Sequence, residues 1–194
     1  MMSNSLVNVL FIYRVLILLP VLYLAGIFSV GCSSPEPSPT ERTLSLSSTV
    51  FYENGIIPDK YTCHGENVSP PISWEEPPAE TESLTLIVDD LDTSGDKFTH
   101  WVIFNIPTGI HELPEGMSSK SGLLDGPLEG KNDFGKTGYG GPCPPSGKAH
   151  RYRFTVYALD IVLDLKHGVS KAQVMKAMED HTLAQGELIG IYQW

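Results

Sequence analysis

The chain has 194 residues, 41% of them apolar and 9% aromatic, enough to build the core of one domain of ordinary size. Its 13 basic and 23 acidic residues leave a formal charge of −10, with no Lys/Arg cluster. Nucleic acid is thereby excluded as a partner, and the overall field does not draw the chain to anionic headgroups.

Residues 1–31 contain one charged side chain, Arg14, and an apolar run from Val15 to Val30 that ends at Gly31-Cys32. That run is short for a membrane span. Residues 1–31 therefore read as a signal peptide, and a small residue directly before Cys32 resembles the cleavage site of a bacterial lipoprotein, with Cys32 as the lipid-bearing residue. Ser29 stands where such signals usually carry Leu. An uncleaved anchor and a plain signal peptide cut elsewhere are the alternatives, and all three place the domain outside the cytoplasm. Residues 32–43, rich in Ser and Pro without apolar periodicity, read as a disordered tether. Ser33 after the cysteine resembles an outer-membrane sorting signal, so the expected location is the outer membrane, facing the periplasm, with the lipid anchor as the membrane contact. Residues 44–194 form the expected domain, and without residues 1–31 the balance is 12 basic to 23 acidic, a formal −11.

Strands are expected at Leu44–Val50, Leu84–Asp90, His100–Ile106, Arg151–Leu159 and Glu187–Gln193, separated by turns rich in Gly, Pro, Asn and Asp. Leu84, Leu86 and Val88 share the inward parity of their strand, and the same parity continues to Asp90 and Asp92. Inward carboxylates need hydrogen bonds, a cation or an imidazolium nearby. His100 stands at the mouth of the next strand. Lys120 to Gly138 reads as a long loop, and Gly140 to Lys148 as a second, stiffened by Pro142, Pro144 and Pro145 and shaped by Gly140, Gly141 and Gly147. This second loop delivers His150 in register with the apolar face of Tyr152, Phe154, Val156 and Ala158, where it suits a pocket floor or a satisfied core position equally well. Arg151 and Arg153 face the other way. One helix is expected at Ser170–His181, with Ser170 and Gln173 as a capping box, Val169 and Val174 as a possible staple, and Val174, Ala177 and Met178 as its apolar stripe.

Asp90-Leu91-Asp92-Thr93-Ser94, His100-Trp101 and the loop Gly140 to Tyr152 together resemble the phosphatidylethanolamine-binding protein family, in its bacterial Raf-kinase-inhibitor-like branch. Thr62 to Trp74 and Asn132-Asp133-Phe134-Gly135 add to the likeness, which covers residues 44–194. The resemblance implies an antiparallel β-sandwich with long loops and one or two peripheral helices. It further implies an anion pocket at Asp90, Asp92, His100, His150 and Tyr152, with Gly141 and Pro145 in its wall, and, in some relatives, inhibition of kinases or proteases. Leu91 and Ser94 stand where the family carries proline, a change that loosens the rim.

An Asp accepting from an imidazole raises the ring's pKa above about 6.5, so both histidines are expected as cationic donors to a phosphate or carboxylate. A phosphoethanolamine-like headgroup matches both signs of charge. The expected function is binding of a small anionic or phosphorylated ligand. A hydrolase of phosphate or acyl esters using Asp and His, and an interaction protein with a vestigial pocket, are the alternatives. No cofactor is expected, and no metal, since His-x-x-x-His and Cys-x-x-Cys spacings are absent and Cys63 has only His64 beside it. Cys63 and Cys143 are an even pair in an oxidising compartment and suggest a disulfide; two independent thiols are the alternative.

Overall fold

The computed structural model describes residues 42–119 and 126–194. The expected signal peptide, nearly all of the tether, Cys32 and the segment 120–125 of the long loop lie outside the described residues.

Four long strands carry the fold: β5 (Ser83–Asp90), β6 (Phe98–Ile106), β9 (His150–Leu159) and β10 (Thr182–Tyr192). Around them lie β1 (Arg42–Thr43), β2 (Leu46–Ser47), β3 (Gly55–Ile56), β4 (Ile72–Trp74), β7 (Glu112–Leu113) and β8 (Leu128–Glu129). The large sheet runs β1-β10-β9-β5-β6-β8, with β3 also paired to β10, and β2-β4-β7 form a small second sheet. The long strands pair antiparallel, whereas β1 and β3 run parallel to β10. The chain is thus mainly β, as expected.

The expected strand at Leu44–Val50 is divided. Arg42 and Thr43, placed in the tether by their sequence, pair with β10, and Leu46 and Ser47 pair with β4, so the chain crosses from one sheet to the other at Leu44 and Ser45. Leu44 is buried at the crossing, and its carbonyl oxygen would lie 1.8 Å from a Cβ at position 186, which leaves glycine as the residue that fits there. The strand expected at Glu187–Gln193 begins earlier, at Thr182, through Ala184 and Gly186, whose small side chains give little alternation signal.

β5 is buried on both faces, as a central strand covered on each side must be. Leu84, Leu86 and Val88 meet Trp101, Phe154, Val156, Ile72 and Trp74 in the main core between the sheets. Ile87 points the other way, onto Val102, Phe104, Val174 and Met178 under the helix. That helix, α1 (Lys171–Ala177), starts with both halves of the capping box between Ser170 and Gln173 in place. It stops short of His181 because Asp180 turns the chain with φ 67°, while Val174 and Met178 of the expected stripe pack on the sheet. Lys171 in its first turn reaches back to both carboxylate oxygens of buried Asp89, each at 2.7 Å.

Candidate functional site

The site forms where β5 ends and β9 begins. Asp90 pairs with Tyr152 across these strands, and the inward parity of both continues into their last residues. Asp90 and His150 are buried, and the His150 Nδ1–H donates to Asp90 Oδ2 at 2.7 Å. The other carboxylate oxygen, Oδ1, accepts from the backbone N–H of Asp92 at 2.8 Å and closes the turn that follows the strand.

That turn ends the alternation, and Asp92 does not share the inward side with Asp90. It is held outside by Arg151: the backbone N–H and Nε–H of Arg151 donate to Oδ2 at 2.8 and 2.9 Å, and Nη2–H donates to Oδ1 at 2.8 Å. This fork, more than any other group, lowers the Asp92 pKa to about 2. Arg151 faces away from the core as its parity requires, and it takes Asp92 with it. Asp92 pins the rim of the site and does not line it.

His100 reaches the site through a break in the ladder. Val88 pairs with Trp101 and Asp89 with Thr99, so His100 is the extra residue of a β-bulge. Simple alternation would group His100 with Val102 and Phe104, which face the helix side. The bulge instead sets its ring against Tyr152, edge to face at 5.1 Å, and against Phe98 and Phe134. Its Nδ1–H donates to the carbonyl of Gly140 at 2.7 Å, leaving Nε2 as the other polar atom of the ring. Among the described residues no carboxylate bonds to His100, and burial lowers its pKa despite the Gly140 bond and the field of Asp90. The expectation of two cationic histidines is therefore corrected for His100: it is a neutral ring whose Nε2 accepts.

Asp90, His100 and His150 line a cavity of about 180 Å³ with Thr93, Phe98, Phe134, Cys143, Pro144 and Pro145. This volume falls below the roughly 300–1,000 Å³ of drug-sized sites and suits a small ion or headgroup. Tyr152 lies against the site, its hydroxyl buried beside the Asp90 carboxylate and the Cys143 backbone. Burial first, and the Asp90 charge second, raise its pKa, so it remains a neutral donor.

Gly141 belongs to a neighbouring cavity of about 200 Å³ that shares Phe134 with the first and includes Cys63, Asn67 and Lys136. Its N–H donates to Asn67 Oδ1 at 2.7 Å, and a Cβ there would meet the Tyr61 carbonyl oxygen at 2.4 Å. The disulfide Cys63–Cys143 joins the same two loops, with Cα atoms 5.4 Å apart.

Phe98, Thr93 and Phe134 were not among the expected site residues. Phe98 enters the site because it pairs directly with Asp90, a register that the fold sets. Phe134 is placed by the turn around it: Asn132 Oδ1 accepts from the N–H groups of Phe134 and Lys136, each at 3.1 Å. Asp133 ties that turn to β6 through the Thr99 N–H, at 2.6 Å.

The fold is a mainly β sandwich with a cavity at its strand mouths, and comparison with known proteins gives the family. The family model described as Phosphatidylethanolamine-binding protein matches residues 47–193. A UPF0098 protein of Methanothermobacter thermautotrophicus is 51% identical over 150 residues, covering 77% of this chain and 99% of its own length. The UPF0098 protein PH1269 of Pyrococcus horikoshii is 48% identical over 158 residues, covering 79% of each chain. Among solved structures, the phosphatidylethanolamine-binding protein homolog CT736 of Chlamydia trachomatis superposes with a TM-score of 0.71 at 37% identity, over 79% of this chain and 99% of its own. E. coli YbcL, described as a member of the mammalian family, gives 0.72 at 30% identity over 78% and 98%. The chain belongs to the phosphatidylethanolamine-binding protein family.

Proposed function

We propose that the protein is an envelope-tethered binding protein whose cavity takes a small phosphate-bearing anion, either free or as a lipid headgroup. The observation that carries this is the convergence of His150, paired to Asp90, with His100 around one small cavity. A phosphate that keeps one proton can donate it to His100 Nε2, and the His150 ring, oriented by its bond to Asp90, faces the same anion. Asp90, which accepts from the His150 Nδ1–H and from the Asp92 N–H, fixes the ring that faces the anion. The apolar walls, Phe98, Phe134, Pro144 and Pro145, exclude water and strengthen those bonds. The apolar run before Gly31-Cys32 supports the tether.

The test is a titration with inorganic phosphate, phosphoethanolamine and acetate, following the ring protons of His100 and His150 by NMR. Saturable shifts of both rings, absent in Asp90→Asn, are expected, with phosphate and phosphoethanolamine ahead of acetate. No shift up to millimolar ligand refutes the binding function, and turnover of phosphate or acyl esters lost in His150→Ala would replace it with the hydrolase.

A further inference from the structure

The two cysteines carry a third potential ligand beside them. Both Sγ atoms and a ring nitrogen of His64 lie within 4.8 Å of one another at the surface. Cys63 Sγ is 3.6 Å from His64 Nδ1 and 3.8 Å from Nε2. Two ligands on one metal, with bonds of about 2.3 Å to sulfur and 2.0 Å to nitrogen, stand roughly 3.5–3.7 Å apart at tetrahedral to trigonal angles. The present spacing of His64 and Cys63 is already close to that.

The imidazole is held independently of the sulfurs. It stacks on Trp194 with ring centroids 3.7 Å apart and planes 7° from parallel, and its Nδ1 lies 3.2 Å from the Tyr192 hydroxyl. If Nδ1–H donates to that oxygen, the lone pair is on Nε2, and a hydrogen bond on the far nitrogen is the usual way a protein orients a histidine toward a metal. The backbone around the cysteines is also held without the disulfide. Cys63 N–H donates to the Pro142 carbonyl at 3.0 Å, Gly141 N–H to Asn67 Oδ1 at 2.7 Å, and the Tyr139 hydroxyl to the Tyr61 carbonyl at 2.7 Å. Breaking the sulfur–sulfur bond therefore leaves the two loops in place, while the two sulfurs swing apart by side-chain rotation and stay next to the ring.

We propose that Cys63, Cys143 and His64 form a redox-gated site for a thiophilic d10 cation, Cu⁺ in a trigonal set or Zn²⁺ with one water as fourth ligand. A dithiol reductant delivers two electrons and two protons to the disulfide and is itself oxidised to a disulfide. The two new thiols then release their protons to solvent as the two metal–sulfur bonds form, and neutral His64 supplies the third bond. Either the disulfide or the metal thus clamps the 61–67 loop to the 139–143 loop, so the wall between the two cavities persists in both redox states. This site does not depend on the anion-binding function.

The experiment uses the chain reduced with dithiothreitol and desalted without oxygen, then titrated separately with Zn²⁺, with Co²⁺ as its coloured stand-in, and with Cu⁺, each against a chromophoric chelator. One equivalent is expected to bind the reduced chain and none the oxidised chain, with thiolate-to-metal charge-transfer absorption for Co²⁺. His64→Ala leaves the disulfide intact and should weaken binding at least about tenfold. Failure of both Zn²⁺ and Cu⁺ to bind stoichiometrically overturns the proposal, as does equal affinity in His64→Ala. Circular dichroism checks the fold after reduction, and a loss of structure that neither metal reverses overturns it as well.

Discussion

Removing the imidazole of His150 should destabilise the protein far more than an ordinary surface change. The side chains of His150 and Asp90 are only 7% and 5% exposed, and the bond between them is 2.7 Å. In His150→Ala the Asp90 carboxylate keeps the hydrogen bond from the Asp92 N–H and loses that from His150 while remaining out of water. Leaving a buried carboxylate without its partner costs about 3–5 kcal/mol, against the roughly 5–15 kcal/mol that holds a domain folded. With a urea slope near 2 kcal/mol/M, the unfolding midpoint should fall by about 1.5–2.5 M. Asp90→Asn in the same background removes the stranded charge, so the double variant should be more stable than His150→Ala alone by about 1–2 kcal/mol. Urea unfolding of the four proteins, disulfide intact, closes the cycle. A His150→Ala loss below about 1 kcal/mol, or a double variant as unstable as the summed singles, would refute the stranded-carboxylate argument.

Three further outcomes are expected. His100 has a lowered folded pKa, so between that value and the unfolded value of about 6.5 the unfolded chain holds the extra proton; stability is complete above pH 6.5 and falls as the pH drops through that window. Urea midpoints at neutral and mildly acid pH should show that slope, and His100→Gln should flatten it. Releasing Asp92 in Arg151→Ala should return its carboxyl from about 2 toward the ordinary value near 3.9, read by carboxyl carbon NMR during an acid titration; an unchanged titration would mean the fork does not set it. Asn105, at φ 54°, exchanges two side-chain bonds of 2.9 Å with the backbone of Leu163; Asn105→Ala should cost about 2–3 kcal/mol and Asn105→Gly less, because glycine accepts the backbone angle, and equal losses would show that the angle is unimportant.

Much of this protein was legible in one dimension because period-two alternation is a local property. Tyr152, Phe154, Val156 and Ala158 announce one buried face of β9, and the same count carries back to His150 and, on β5, from Val88 to Asp90. The capping box of α1 is equally local, since Ser170 and Gln173 meet within one turn. Strands of two residues, such as β1, β3 and β8, have no room for a pattern and exist only because long neighbours pair with them.

What the sequence by itself determined is the set of long strands, the helix start and the inward direction of Asp90 and His150, each dictated by side-chain geometry within a few residues. Tertiary structure decided the rest of the site. Alternation sends His100 toward the helix, and only pairing with β5 forces the bulge that turns it to the cavity. Counting onward from Asp90 sends Asp92 inward, and only the arrival of Arg151 from a strand 59 residues away draws it out. The pKa of His100 follows the same rule, because the neighbours that bury the ring are brought to it by the fold and cannot be read from its place in the chain.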